Sequence, residues 1–285
     1  MNILYCGDCN IADGLVLSAL SLANHTSEPL HIHVLTMSLT TPGKTYAPIP
    51  APLLQFLAQK LQETHPGSTV ECTNVAPLFL REVPEVNLDT RFTPFCMLRL
   101  FADELPLPDK VLYLDTDVLC RRDFAEFYHQ DLSGVEFAGT LDHYGRWFFR
   151  RKWYHMDYVN SGVLLLNMKR IRETGLFRHC RELCRTEKMF MPDQSALNKL
   201  AQQKRLLPRR FNEQRRLHPD TVFQHFTTSF RFFPWFRVVT VKPWEPDKMH
   251  RILHLHEYDD LLAQGAAFQK EYEAYHAQQA AHGGI

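Results

Sequence analysis

The sequence has no surplus of either charge, since Lys and Arg together number 32 and so do Asp and Glu. A chain of zero formal charge exerts no general pull on nucleic acid, and no nucleic-acid partner is expected. It has no apolar run of the ~20 residues needed to cross a bilayer. A basic segment followed by a long apolar stretch is missing at its start. Met1-Asn2-Ile3-Leu4-Tyr5 therefore reads as a first strand and not as a signal peptide, and a cytoplasmic protein is expected. The seven cysteines are odd in number and scattered. Cys6 and Cys9 have C-x-x-C spacing, but no second pair stands at zinc-ribbon distance, which favours reduced, partly buried thiols. A glycine-rich phosphate cradle is also missing, because Gly7 is isolated. A nucleotidyltransferase, one rival reading, would normally carry such a loop with basic residues after the first strand.

What is present alternates. Residues 2–6 form a short apolar run broken by Gly7, Asp8 and Asn10. Residues 14–25 carry apolar side chains at helical spacing, 31–36 is strand-like, 51–64 is helical and 69–75 is a further strand. This β-α-β-α-β opening predicts an α/β fold with a mostly parallel central sheet. Its first strand ends in Asp8 and Asn10, at the carboxyl edge where open α/β sheets bind ligands. Later elements are a helix over 95–104, strands over 111–114, 136–140 and 162–167, and a helix from 193 to 200. The alternation stops near 205, which suggests a catalytic domain over 1–205 and a C-terminal segment over 206–285. A loose helix is expected beyond 262.

The run 111–114, Val-Leu-Tyr-Leu, has the character of a parallel strand buried on both faces. Asp115 and Asp117 follow it directly. Two carboxylates at i and i+2 on a strand end can reach one hard divalent cation, Mn²⁺ or Mg²⁺, which keeps open positions for phosphate oxygens and acts as a Lewis acid on a leaving diphosphate. The competing reading is an acidic turn after a strand.

Lys110-Val-Leu-Tyr-Leu-Asp-Thr-Asp-Val-Leu119 resembles the signature of glycosyltransferase family 8, the retaining transferases that include bacterial lipopolysaccharide galactosyl- and glucosyltransferases. Four more stretches carry the resemblance in order. They are Met1 to Asn10, Tyr158-Val-Asn-Ser-Gly-Val-Leu-Leu-Leu-Asn167, Pro192-Asp-Gln-Ser-Ala-Leu-Asn198 and Lys242-Pro-Trp244. The resemblance implies a single Rossmann-like nucleotide-sugar-binding domain of the GT-A type with a small aromatic and basic C-terminal extension. It also implies transfer of a hexose from a UDP-sugar to a glycan or lipid-linked acceptor.

The resemblance further implies roles. Cys6, Asp8 and Asn10 belong to the uridine-binding loop. Arg99 binds the donor, with an exposed surface Arg as the alternative. Asp115, Thr116 and Asp117 form the metal and diphosphate motif. Asp142 contacts donor sugar hydroxyls, and Asn160 and Ser161 line the sugar pocket. Asn167 closes a strand. Asp193 binds sugar hydroxyls, with a helix N-cap as the other reading. The Gln194 amide oxygen faces the β side of the sugar. Lys242 neutralises diphosphate as a point charge. His225 is the third protein metal ligand, with His254 and His256 as rivals, because residues 230–241 fill a gap that is short in the family. A non-catalytic relative that binds UDP-sugar is the second rival reading.

On the acceptor side, Arg146, Arg150, Arg151 and Lys152 are interleaved with Trp147, Phe148, Phe149, Trp153 and Tyr154. A basic stretch holds Lys204, Arg205, Arg209, Arg210, Arg215 and Arg216, and an aromatic one Phe230, Phe232, Phe233, Trp235 and Phe236. Such surfaces suit an anionic membrane or a phosphate-bearing lipid-linked acceptor. The alternatives are a solvated basic face and a folded lid.

Overall fold

The computed structural model describes residues 1–41, 43–88, 93–145, 157–231, 235 and 237–282. Residues 146–154 of the first aromatic and basic stretch, and Phe232, Phe233 and Phe236 of the last, lie outside the described residues.

Strand β1 (Asn2–Cys6) leads into α1 (Ala12–Ala23), and β2 (His31–Thr36) returns parallel to β1. A small antiparallel pair, β3 (Leu39–Thr41) and β4 (Lys44–Tyr46), precedes α2 (Ala51–Thr64) and β5 (Thr69–Asn74), which lies parallel to β2. The chain then crosses to the other side of β1, where β6 (Lys110–Leu114) pairs parallel with it. After β7 (Val118–Cys120) come β8 (Phe137–Leu141) and β9 (Val159–Asn167). Three helices follow, α3 (Met168–Thr174), α4 (Leu176–Thr186) and α5 (Pro192–Leu200), and then the edge strand β10 (Lys204–Leu207). The seven-stranded order is β10-β8-β9-β6-β1-β2-β5. Only β9 runs against its neighbours, β6 and β8. The sheet is therefore mostly parallel, as expected.

The apolar runs are continuous because each central strand is covered on both faces. Ile3, Tyr5, Leu112 and Leu114 enter the layer shared with α1 and α2, while Leu4, Val111 and Tyr113 enter the opposite one. This alternation matters for the site, since it sends Tyr113 to the face that carries Arg99. The helix expected over 95–104 is wound as 3₁₀ turns over Pro94–Glu104, with Pro at its start.

Beyond β10, β11 (Phe223–His225) pairs antiparallel with β7, and β12 (Ser229–Arg231) pairs with β13 (Arg237–Val239). Phe211, Phe223, Phe226, Val241 and Met249 share the core that α1 helps to build. The tail forms α6 (Asp259–His282). It is docked and not loose: Phe268 and Tyr275 meet Phe56 of α2 at ring-centroid distances of 5.0 and 5.1 Å. Among the described residues no helix is long and apolar enough to cross a membrane.

Candidate active site

The strand order reverses between β1 and β6, and at such a switch point open α/β sheets bind ligands in the crevice outside the carboxyl ends of the strands. Asp8 leaves β1 and caps a 3₁₀ turn over Cys9–Ile11. Its carboxylate accepts from the Asn10 backbone and, at 2.6 Å, from the Asn10 amide. This capped turn presents an exposed Asn10 on a buried Asp8. Burial pushes the thiol of neighbouring Cys6 above the usual thiol range, which disfavours the thiolate.

Asp115 and Asp117 leave β6. The Asp115 backbone N–H donates to Gly162 O at 2.8 Å. Its Oδ1 accepts from Tyr113 at 2.6 Å and from Arg99 Nη2 at 3.0 Å. Arg99 is only 2% exposed, which excludes the surface reading. Its guanidinium lies 3.8 Å from the Tyr113 ring centroid, pairs with Asp193 Oδ2 at 3.3 Å and donates to the carbonyls of Cys96 and Ser161. It stands behind the aspartates with all three nitrogens engaged by protein oxygens.

His225 arrives by strand pairing. In the β7/β11 register it lies opposite Val118, the residue after Asp117. Its Nε2 is 3.2 Å from Asp117 Oδ1 and 3.6 Å from Asp115 Oδ2. Of the three candidate histidines, it is His225 that the fold brings to the acids. His256 stacks on His250 and faces Asp259 instead, and His254 turns the chain with a φ of 56°. One donor atom each from Asp115, Asp117 and His225 falls within a 4.8 Å sphere of mutual distances. Gly162 keeps that space open: a Cβ there would meet His225 Cε1 at 2.1 Å and Asp115 Oδ2 at 2.8 Å. Two carboxylates and an imidazole fit a divalent cation of the Mn²⁺ type.

Lys242 donates to Asp117 Oδ2 from the opposite side. Burial pushes Asp117 up, but Lys242 and His225 outweigh it and hold the carboxyl well below its ordinary range. Burial works against the Lys242 charge, and Asp117 more than reverses this. Trp244, two residues on, fits against Gly14 at the start of α1, where a Cβ would lie 2.3 Å from its ring.

The remaining site residues form one buried polar net. Asp142 follows β8 and accepts from the Tyr144 and Gly145 backbones, from Asn160 Nδ2 at 2.9 Å and from Gln194 Nε2 at 3.1 Å. The Gln194 amide oxygen accepts from the Ser161 backbone at 2.9 Å, so this oxygen is turned toward β9. Asp193 is not an N-cap. The cap position is Met191 without a side-chain bond, and Asp193 sits inside the helix paired to Arg99. Burial raises its carboxyl, against the pull of Arg99. Asn167 is structural, accepting from Arg170 and donating to the carbonyls of Leu132 and Val135.

Sequence reasoning missed Tyr113, Gly162, Asn212 and Gln214 as site builders. Asn212 is 1% exposed and donates to Asn160 Oδ1 at 2.9 Å, and Gln214 bridges His143 N and Leu141 O. The signal for the last two was a polar triplet, Asn212-Glu213-Gln214, between arginine pairs that drew attention by their charge. Among the described residues, three of the six basic residues over 204–216 are ion-paired: Arg209 with Glu213 and Asp220, Arg210 with Glu126, and Lys204 with Asp157.

The likenesses to known proteins agree with this geometry. A family model described as glycosyl transferase family 8 matches residues 2–247. A probable glycosyl transferase, Gly, of Streptococcus gordonii is 30% identical over 118 residues, which are 41% of this chain and 16% of that protein. Glycosyltransferase GlyF of Streptococcus pneumoniae serotype 4 is 29% identical over 117 residues, 40% of this chain and 26% of that one. The matched region thus spans a minor part of these curated relatives. Among solved structures, the galactosyltransferase LgtC in complex with donor and acceptor sugar analogues superposes with a TM-score of 0.66 at 22% identity, covering 94% of this chain and 96% of the other. GlyE of Streptococcus pneumoniae TIGR4 gives 0.64 at 19%, covering 96% and 64%. The shared architecture is the GT-A fold.

Proposed function

The chain belongs to glycosyl transferase family 8, and from that premise we propose that it moves a hexose, glucose or galactose, from a UDP-sugar to a glycan or lipid-linked acceptor. The convergence of Asp115, Asp117, His225 and Lys242 from three separate stretches carries this reading. Residues 1–205 supply the nucleotide-sugar crevice, and 206–285 complete it with His225 and Lys242.

Asp115, Asp117 and His225 would hold Mn²⁺ or Mg²⁺, which when bound supplies a Lewis acid for the departing diphosphate. Thr116 links the two acids, and Lys242 adds a second positive charge on the diphosphate side of Asp117. Arg99 orients Asp115 and Asp193 from behind. Asn10 and Asp8 serve the uridine end. Asp142, Asn160, Ser161 and Asp193 surround the sugar hydroxyls, beside Gln194.

We favour attack from the face the nucleotide leaves. The bond between the anomeric carbon and the phosphate oxygen breaks as the acceptor oxygen bonds to the same face, and the leaving phosphate takes the acceptor's proton. Gln194 is an amide and a weak nucleophile. The Asp142 carboxylate accepts four hydrogen bonds, which lowers its reactivity toward carbon. Mass spectrometry detecting a glycosyl adduct on Asp142 or Asp193 would overturn this mechanism.

The expected setting is the cytoplasm, with peripheral contact at an anionic membrane through the face that bears Trp235. Sedimentation with vesicles that either contain or lack anionic lipid tests the contact. For the activity itself, metal-dependent UDP release from UDP-glucose or UDP-galactose is the expected result. Silence across a full set of UDP-sugars would sink the proposal.

A further inference from the structure

A second group of metal-binding side chains lies outside the crevice. It is built by an irregular stretch between the Lys242 segment and α6. Met249–Leu253 is wound as a single π turn, a rare geometry that is frequent at functional sites. His254 then adopts φ 56°, which an ordinary side chain rarely does. The reversal lays the ring of His256 over that of His250, with centroids 4.4 Å apart and planes 17° from parallel. Asp259, the first residue of α6, faces both. Its Oδ1 is 2.7 Å from His250 Nε2, and its Oδ2 is 3.3 Å from His256 Nδ1. One donor atom from each of the three lies within 4.8 Å of the others.

We propose that His250, His256 and Asp259 form a second metal site, selective for an imidazole-preferring ion such as Zn²⁺, that fastens the start of α6 to the segment carrying Lys242. The chemistry of the donor set points to that ion. Two neutral imidazoles and one carboxylate suit a zinc-like cation at metal–ligand distances near 2.0–2.2 Å. The crevice has the reverse balance, two carboxylates and one imidazole, and suits a harder ion. All three residues are accessible, with His256 67% and Asp259 49% exposed, so an ion can enter without the protein opening. One side chain from the π turn and one from the helix start close a loop of chain. A shared ion then resists fraying of α6 and shift of the turn. The turn in turn sits on Met249, which is fully buried in the core and only seven positions after Lys242.

The test is Zn²⁺ titration, followed by calorimetry and by competition with a chromophoric chelator, on the Asp117→Asn variant with saturating Mg²⁺ present. This background weakens the crevice and leaves the second site alone. Binding of about one equivalent, together with a rise in melting temperature, is expected. Adding His250→Ala and His256→Ala removes both effects. Asp259→Asn, which keeps the shape of the side chain, weakens both. The proposal is overturned if Zn²⁺ binding in the Asp117→Asn background is undetectable, or if it persists unchanged after both imidazoles are removed. Because no step of this test reads sugar transfer, its failure leaves the proposed function standing, and the reverse also holds.

Discussion

Lys242 donates its ammonium proton to Asp117 Oδ2 across 125 residues of chain. The other oxygen of that carboxylate faces His225 Nε2 at 3.2 Å. Asp117 is thus the acid on which a base from the strand beside it and a cation from the far C-terminal segment both converge. Asp117→Asn should reduce metal-dependent UDP release by at least about a hundredfold, on the scale of losing a main electrostatic group. Circular dichroism should retain the native fold. Unchanged release would refute a metal role for this residue.

Gly162 is the clearest steric probe. Alanine would place a methyl group where His225 and Asp115 Oδ2 now stand, at 2.1 and 2.8 Å. Gly162→Ala should weaken Mn²⁺ binding by about tenfold or more, since ligand positioning in metal sites typically carries effects of 10–100-fold. Calorimetric titration of the metal reads this directly. Retained wild-type affinity would mean that His225 is not a ligand.

Arg99 holds two buried or half-buried acids apart. Removing its charge with Arg99→Met leaves Asp193 uncompensated in a site where burial already disfavours the anion. The expected loss of stability is about 3–5 kcal/mol by analogy with other broken buried pairs, measured by urea unfolding. Combining it with Asp193→Asn should recover part of that loss. Strict additivity of the two changes would show that the pair is not coupled.

The pH dependence of the metal-free protein follows from two carboxyls of opposite sign. Asp117 is depressed in the folded state, so its contribution is present above the ordinary carboxylate value of about 4 and is lost as pH falls through the folded value. Asp193 is raised, so its contribution is present below about 4 and is lost as pH rises through its folded value. Urea midpoints measured from about pH 3 to 7 should therefore show a shallower acid decline in Asp117→Asn than in the wild type. Asp193→Asn should lose less stability than the wild type as pH rises from the acid end. Parallel curves for all three proteins would contradict both assignments.

The parts legible in the sequence were those governed by local rules. The run 111–114 announced a strand buried on both faces, and the acids after it announced a site, because both patterns lie within a few residues. Family likeness added Asp142, Asn160 and Gln194 to that site. What could not be read were relations set by register and close approach. The burial of Arg99 depends on which face Tyr113 takes. The delivery of His225 depends on the pairing of β11 with β7, upstream of the insertion that had made His256 its rival. Asp193 looked like a cap because caps are local, whereas its partner Arg99 lies 94 positions earlier. Asn212 and Gln214 carried no motif at all, since a polar side chain becomes a site builder only when the fold buries it.

Ser229 pairs with Val239, and Thr228 and Thr240 share a hydrogen bond at 3.0 Å, so the chain between them leaves and returns at one point. Whatever length lies beyond that closure, the residues flanking it remain the same distance apart. A change of chain length beyond that closure is therefore expected to leave the pieces on either side in place. The clasp lies in the chain between His225 and Lys242 and insulates both from whatever lies past it.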